Sequence, residues 1–316
     1  MSLLGIFATA ILPIVALAVV GFVLGRRTGV PAGPLNTVTI YVLVPALVFH
    51  SLATTDLAGG TLVGIAAGVL AFTAVMVLVT ETVGRGLGEV EPVLGSLVLV
   101  ATFSNAGNYG IPVSEFAFGA VGRQTAVVYI VAQAVAMYTL GVYVAARGEG
   151  SSALEGIKTV FSIPLVYAVV GTLAARWLGV VPAESTAAMQ TIRMLGNASI
   201  PVMLLILGIR LSNVDVAEAV GRVGVASGAK LLVAPLVGLG IALAVGFQNT
   251  TVARTFVLLT AAPTAVTPVI LVGAFSGAND GPSASQFVST SVFVTTVASV
   301  VTVTALVAAL QSGLVL

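Results

Sequence analysis

The chain is a succession of long apolar runs with very little between them. Charges and clusters of Gly, Pro, Asn and Asp cut it into runs at 3–25, 36–54, 58–80, 93–119, 123–146, 157–178, 192–211, 220–246, 253–277 and 285–311. Runs of about 20 apolar residues are what an α-helix needs to cross a bilayer. Lipid offers no hydrogen bonds, so every backbone N–H and C=O must be paired within the protein, which a helix does by itself. The chain is 58% hydrophobic and 7% charged, against about 25% charged in a soluble domain. So few charges could not cover a water-facing surface. The expected fold is an all-α polytopic membrane protein of ten transmembrane helices, a single membrane domain with no room in its loops for a soluble one. The N-terminal stretch MSLLGIFATAILPIVALAVVGFVLGRR has no basic n-region, and its apolar run is too long for a signal-peptide core, so it reads as the first span.

Several functions are disfavoured at once. A net charge of +1 argues against a nucleic-acid surface. With no cysteine, disulfides, thiolate metal sites and thiol catalysis are excluded. One histidine, and no HExxH, GxSxG or paired intramembrane aspartates, leave little for hydrolysis, so the expectation is not an enzyme, with no cofactor and no metal.

Orientation follows from Lys and Arg in short loops. With both termini outside the cell membrane, the cytoplasmic loops hold Arg26, Arg27, Arg85, Arg147, Lys158, Arg210 and Arg222, and the outer side holds Arg123, Arg176, Arg193 and Arg254. The halves also match. Pro13 pairs with Pro164, Pro45 with Pro201, Gly64 and Gly68 with Gly224 and Gly228, and Pro112 with Pro268, at offsets between 151 and 160. Five spans per half is odd, so the halves 1–150 and 151–316 should be inverted repeats, a design common among secondary transporters. The GxxxG pairs at 64/68 and 224/228 read as helix-packing positions.

The fourth run is interrupted in the middle by FSNAGNYGIPVSEF, residues 103–116, and the ninth by AAPTAVTPVILVG, with Pro263 and Pro268. A broken helix at membrane depth is tolerated only where protein or a water-filled cavity satisfies its backbone. Matching breaks in two halves are the best sequence pointer to a transport site. Pro112 is expected in the first turn of a half-helix, where its missing N–H costs nothing. Free amides there suit an anion, and Pro268 can do the same from the ninth span. Asn105 and Asn108 offer side-chain donors and acceptors, Thr264 and Thr267 offer hydroxyls, and Gly107 and Gly110 allow close backbone approach. A pair of proline kinks with structural asparagines is the plainer alternative.

SNAGNYGIP, together with PVMLLILGIRLS at 201–212, resembles the auxin efflux carrier family, which includes bacterial malonate and malate permeases and plant PIN carriers. The resemblance covers the whole chain. It implies a fold like those of bile-acid/sodium symporters and sodium/proton antiporters, with spans 4 and 9 crossing at the substrate site. A scaffold of spans 1, 2, 6 and 7 would face a core of spans 3–5 and 8–10, and a homodimer would form through the scaffold. Small organic anions would be the substrates. Asn105, Asn108 and Pro112 match the family's first crossover and Pro268 the second. The sodium-coupled relatives carry acidic and amide side chains in the second break, and AAPTAVTP has neither, which favours protons over sodium as the coupling ion.

Ionisable groups at membrane depth each cost about 2.5–3.5 kcal/mol on insertion scales, so each is a functional candidate. Glu115, three residues past Pro112, is either a dipole partner or a protonatable coupling group. Lys230 in span 8 could counter Glu115, attract the substrate or snorkel. Gln133 is a cavity group or an interhelical hydrogen bond, and Tyr109 lines the site or packs. His50 reads as structural and Arg210 as a snorkelling span end. Asp56, Glu81, Glu89, Glu91, Glu149, Glu155, Asp215, Glu218 and Asp280 read as loop or helix-end charges. The leading function is secondary transport of a small organic anion by alternating access. A ligand-binding membrane sensor and a sodium/proton-type antiporter are the alternatives.

Overall fold

The computed structural model describes residues 12–54, 57–145, 164–212, 220–275, 283–313 and 315–316. The anticipated loop charges Asp56, Arg147, Glu149, Glu155, Lys158, Asp215, Glu218 and Asp280 lie outside the described residues, as do the expected starts of spans 1 and 6. Everything regular among the described residues is helical. The helices are α1 (Leu12–Thr28), α2 (Ala32–Ala53), α3 (Gly59–Gly86), α4 (Val93–Thr102), α5 (Ala106–Ala145), α6 (Pro164–Trp177) and α7 (Ala187–Leu211). They continue with α8 (Val220–Gly228, then Ala229–Val233 and Ala234–Val245), α9 (Thr250–Thr260), α10 (Thr267–Phe275) and α11 (Ser283–Gln311).

Six helical stretches are long and apolar enough to cross a membrane: α2, α3, α5, α7, α8 from Val223 and α11 from Gln286. The outer surface is apolar, with Val63, Leu78, Leu236 and Val301 each at least 68% exposed. In water such faces would be costly, and against hydrocarbon they cost nothing. α4 and α9 are also apolar but only 10 and 11 residues long, too short to span at 1.5 Å per residue. α5 is one stretch in name only. Gly119, at φ +65°, breaks it between the runs expected at 93–119 and 123–146.

Helix packing falls into two groups. α1 lies along α7, and α2 packs on α6 and α7. α3 packs on α4, α5 and α8, α9 on α5 and α8, and α11 on α4, α8 and α10. The α1–α7 contact is backbone-close. A Cβ at Gly208 would strike the Ala18 carbonyl, and one at Gly21 the Leu205 carbonyl. The GxxxG expectation holds only for the first pair. Gly64 and Gly68 face Val245 and Phe256, whereas a Cβ at Gly224 or Gly228 would meet none of the described residues within 4 Å.

Four wide π turns interrupt the α-helical hydrogen bonding, at Thr39–Leu43, Ala106–Gly110, Met137–Gly141 and Ala229–Val233. Three have a local cause. Pro45, Pro112 and Pro235 each stand two residues beyond the turn. A proline has no N–H for the carbonyl four residues back and its ring crowds that carbonyl, here those of Tyr41, Asn108 and Leu231. The helix reaches one residue further instead. Such bulges recur at functional sites.

Candidate functional site

The two interruptions meet. α4 ends at Thr102 and α9 at Thr260, and the extended residues beyond them pair as an isolated antiparallel bridge, Ser104 with Thr264. The Asn105 N–H donates to the Pro263 carbonyl (2.7 Å), and the Ala265 N–H donates to the Phe103 carbonyl (2.9 Å). This is how buried, non-helical backbone is satisfied without water.

Side chains from three further helices lock the junction. Gln133 of α5 brackets Ser104: its Oε1 accepts the Ser104 N–H at 3.1 Å and its Nε2 donates to the Ser104 carbonyl at 2.8 Å. Thr264 donates its hydroxyl to the Val100 carbonyl at 2.9 Å, while its N–H reaches Thr295 Oγ1 of α11 at 3.1 Å. Lys230, wholly buried in the α8 π turn, donates from Nζ to Ser104 Oγ at 2.6 Å and to the Thr260 carbonyl at 3.1 Å.

Beside this junction lies a cavity of about 400 Å³. Its walls come from α2 (Asn36, Thr39, Tyr41), the junction and α5 (Asn105, Gly107, Asn108, Gln133, Tyr138), α7 (Met203, Arg210) and Thr267 at the start of α10. Three of the four π turns contribute residues to it. The wall is rich in donors. Asn105 is buried and its Nδ2 has no hydrogen-bond partner among the described residues. The amides of Gly107 and Asn108 sit at the start of α5, where a helix leaves its first N–H groups without intrahelical partners. Among the described residues the guanidinium of Arg210 has no hydrogen bond or ion pair and no Asp or Glu lines the space. Unpaired donors, a helix N-terminus and a guanidinium together suit a carboxylate.

Of the residues singled out in the sequence, Asn105, Asn108, Gln133 and Thr267 share this cavity. Tyr109, Gly110, Pro112, Thr264 and Pro268 are buried behind it. Gly110 lets α5 approach Leu259 of α9, where a Cβ would come within 2.7 Å of Leu259 Cδ2. Pro112 stands second in the α-helical part of α5, which begins at Ile111 after the π turn, and Pro268 stands second in α10, each in a first turn as expected. Three expectations are corrected. Glu115 is the fifth residue of that α-helical part of α5, past its first turn, so the dipole reading lapses. Lys230 does not counter Glu115: its bonds go to the junction, whereas Glu115 pairs with Arg123 at 3.3 Å. Arg123, expected as an outer-loop charge, is only 13% exposed along its side chain and also donates to Asn197 Oδ1 of α7 at 3.2 Å. Glu81 and Glu91 are helix-end charges as expected, Glu81 pairing with Arg85 and Glu91 accepting the Gly95 N–H.

Sequence reasoning missed Ser104, Arg210 and the α2 wall. Ser104 stood inside the interrupted stretch but was given no role. Arg210 was set aside because a charge near a span end can reach water. Among the described residues no group of three or more His, Asp or Glu could hold a metal ion.

Long apolar helices, two interrupted ones joined at membrane depth and a donor-lined cavity beside the joint define a multi-pass membrane protein of transporter type. The comparisons make this specific. The family described as Membrane transport protein matches residues 6–162 and 157–307, and the chain belongs to that family. An "Uncharacterized transporter" of Methanothermobacter thermautotrophicus is 26% identical over 267 residues, covering 83% of this chain and 86% of the relative.

Proposed function

We propose that the protein is a secondary transporter that carries a small organic anion across the cell membrane by alternating access. The observation that carries this reading is the cavity at the junction, walled by Asn105 Nδ2 and the Arg210 guanidinium, both without a partner among the described residues, and with no acid among its described lining. In this reading the chain has ten spans in two inverted halves, 1–150 and 151–316. α4–α5 and α9–α10 are the crossing broken helices, α1, α2, α6 and α7 the scaffold, and α3–α5 with α8–α11 the moving core. The packing of the two helix groups supports that division. With both termini outside, Asn36 and Arg210 stand toward the cytoplasm, so the cavity opens inward. Arg123, bonded to Glu115 within the core and to Asn197 of the scaffold, then closes the outer side.

The carboxylate would meet Arg210, Asn105, Asn108 and the first amides of α5. Glu115 is the protonatable group on the closed side. A sodium/proton-type antiporter would want an acid in the cavity, and none of the described lining residues is acidic.

The test is uptake of labelled malonate, malate and indole-acetate into liposomes under a proton gradient, a sodium gradient or neither. Wild type should show saturable uptake, Asn108→Ala should abolish it, and Arg210→Gln should raise KM at least tenfold. Uptake unaffected by both substitutions would remove the site assignment. Binding without flux for every anion would favour a sensor.

A further inference from the structure

Lys230 is the best-buried charge among the described residues, at 0% exposure, and no carboxylate is bonded to it. A charge so placed is expensive unless its surroundings replace water. Its ligands are two neutral oxygens and a ring. Ser104 Oγ, at 2.6 Å, belongs to the first interruption. The Thr260 carbonyl, at 3.1 Å, is the last residue of α9, just before the second. The Phe72 ring of α3 lies 6.0 Å from Nζ to its centroid, at the limit of a cation–π contact. The end of α9 is also the negative end of its dipole, where a cation is favoured. A hydroxyl and a helix-end carbonyl are the kind of oxygen shell that takes a dehydrated alkali cation.

We propose that the ammonium of Lys230 is a built-in cation of the junction, holding together the two interrupted helices where a free monovalent cation would otherwise be needed, so that transport requires no sodium or potassium. The geometry explains why the π turn at Ala229–Val233 matters. It belongs to neither interrupted helix, yet it delivers Nζ to both. The inference rests on the transporter reading for its effect on flux, but not for its effect on stability.

The experiment compares wild type, Lys230→Ala, Lys230→Met and Lys230→Arg at constant ionic strength in NaCl, KCl, methylammonium chloride or N-methylglucamine chloride. Uptake in liposomes and Tm of the purified protein are both read. Wild type should give the same uptake and Tm in all four salts. Lys230→Ala removes the charge and leaves space. It should lose at least tenfold in uptake in N-methylglucamine and recover several-fold, with a rise in Tm, in methylammonium or sodium. Lys230→Met removes the charge and fills the space, so it should stay low in every salt. Lys230→Arg should fold and remain sodium-independent. Sodium-dependent uptake or Tm in wild type would overturn the proposal, with or without a folded variant, and so would wild-type behaviour of Lys230→Met. The Tm readings need no transported substrate. Absence of uptake by wild type would therefore sink the transporter reading while leaving Lys230 to be judged on stability.

Discussion

Gln133→Leu isolates the polar lock on the junction. Leucine nearly conserves the volume of this buried side chain, so packing should change little. The hydrogen bonding does change. Ser104 N–H loses its acceptor at 3.1 Å, and the Ser104 carbonyl loses Nε2 at 2.8 Å but keeps the Ala106 N–H at 2.7 Å. One buried N–H is thus orphaned, at about 1–3 kcal/mol. Taking about 2 kcal/mol, and about 2–4 °C per kcal/mol for a chain above 150 residues, Tm should fall by about 4–8 °C. Circular dichroism at 222 nm on purified protein reads this directly. Gln133→Glu supplies the control. A protonated carboxyl reproduces both bonds, one oxygen accepting and the O–H donating, while the ionised form cannot donate. Its Tm should therefore lie near wild type at low pH and fall as pH rises. A Leu variant with unchanged Tm, or a Glu variant with a flat pH profile, would show that Gln133 does not hold the interruption.

Two further predictions concern packing and the closed side. Gly208→Ala places a methyl against the Ala18 carbonyl and should lower Tm, at about 1–3 kcal/mol for overpacking. Gly224→Ala meets open space and should leave Tm unchanged or raise it, since alanine is the better helix former by up to about 1 kcal/mol; equal effects would refute the α1–α7 contact. Arg123→Gln breaks the bonds to Glu115 and Asn197. This partly exposed pair is worth about 0.2–1 kcal/mol, so Tm should move by under about 4 °C, while a cysteine at position 108 becomes several-fold more reactive from the outer side. Unchanged reactivity would mean the contact does not close that side.

The interruptions were legible because each sets polar or helix-breaking residues where the apolar pattern demands neither. Asn105, Asn108 and Pro268 could be placed from that alone. What the sequence hid is tertiary. Lys230 and Ser104 lie 126 positions apart, and nothing local marks them as partners. The π turns were half visible, since Pro45, Pro112 and Pro235 force them, but a proline by itself reads equally well as a kink or a helix start, so the turn ahead of Pro112 was not foreseen. Small-residue spacing was a weak guide. Gly64/Gly68 and Gly224/Gly228 share a pattern, yet only the first pair has neighbours against it, and the closest helix contact runs through Gly21 and Gly208.

The central claim, that the cavity at the junction holds the transported anion, is best tested by chemistry the native chain cannot confuse, since it has no cysteine. Asn108→Cys should be labelled by a membrane-impermeant maleimide from the cytoplasmic face, and an anion that binds should slow labelling in proportion to its occupancy. Labelling that no candidate anion slows, while wild type still transports one of them, would place the substrate elsewhere and contradict the account.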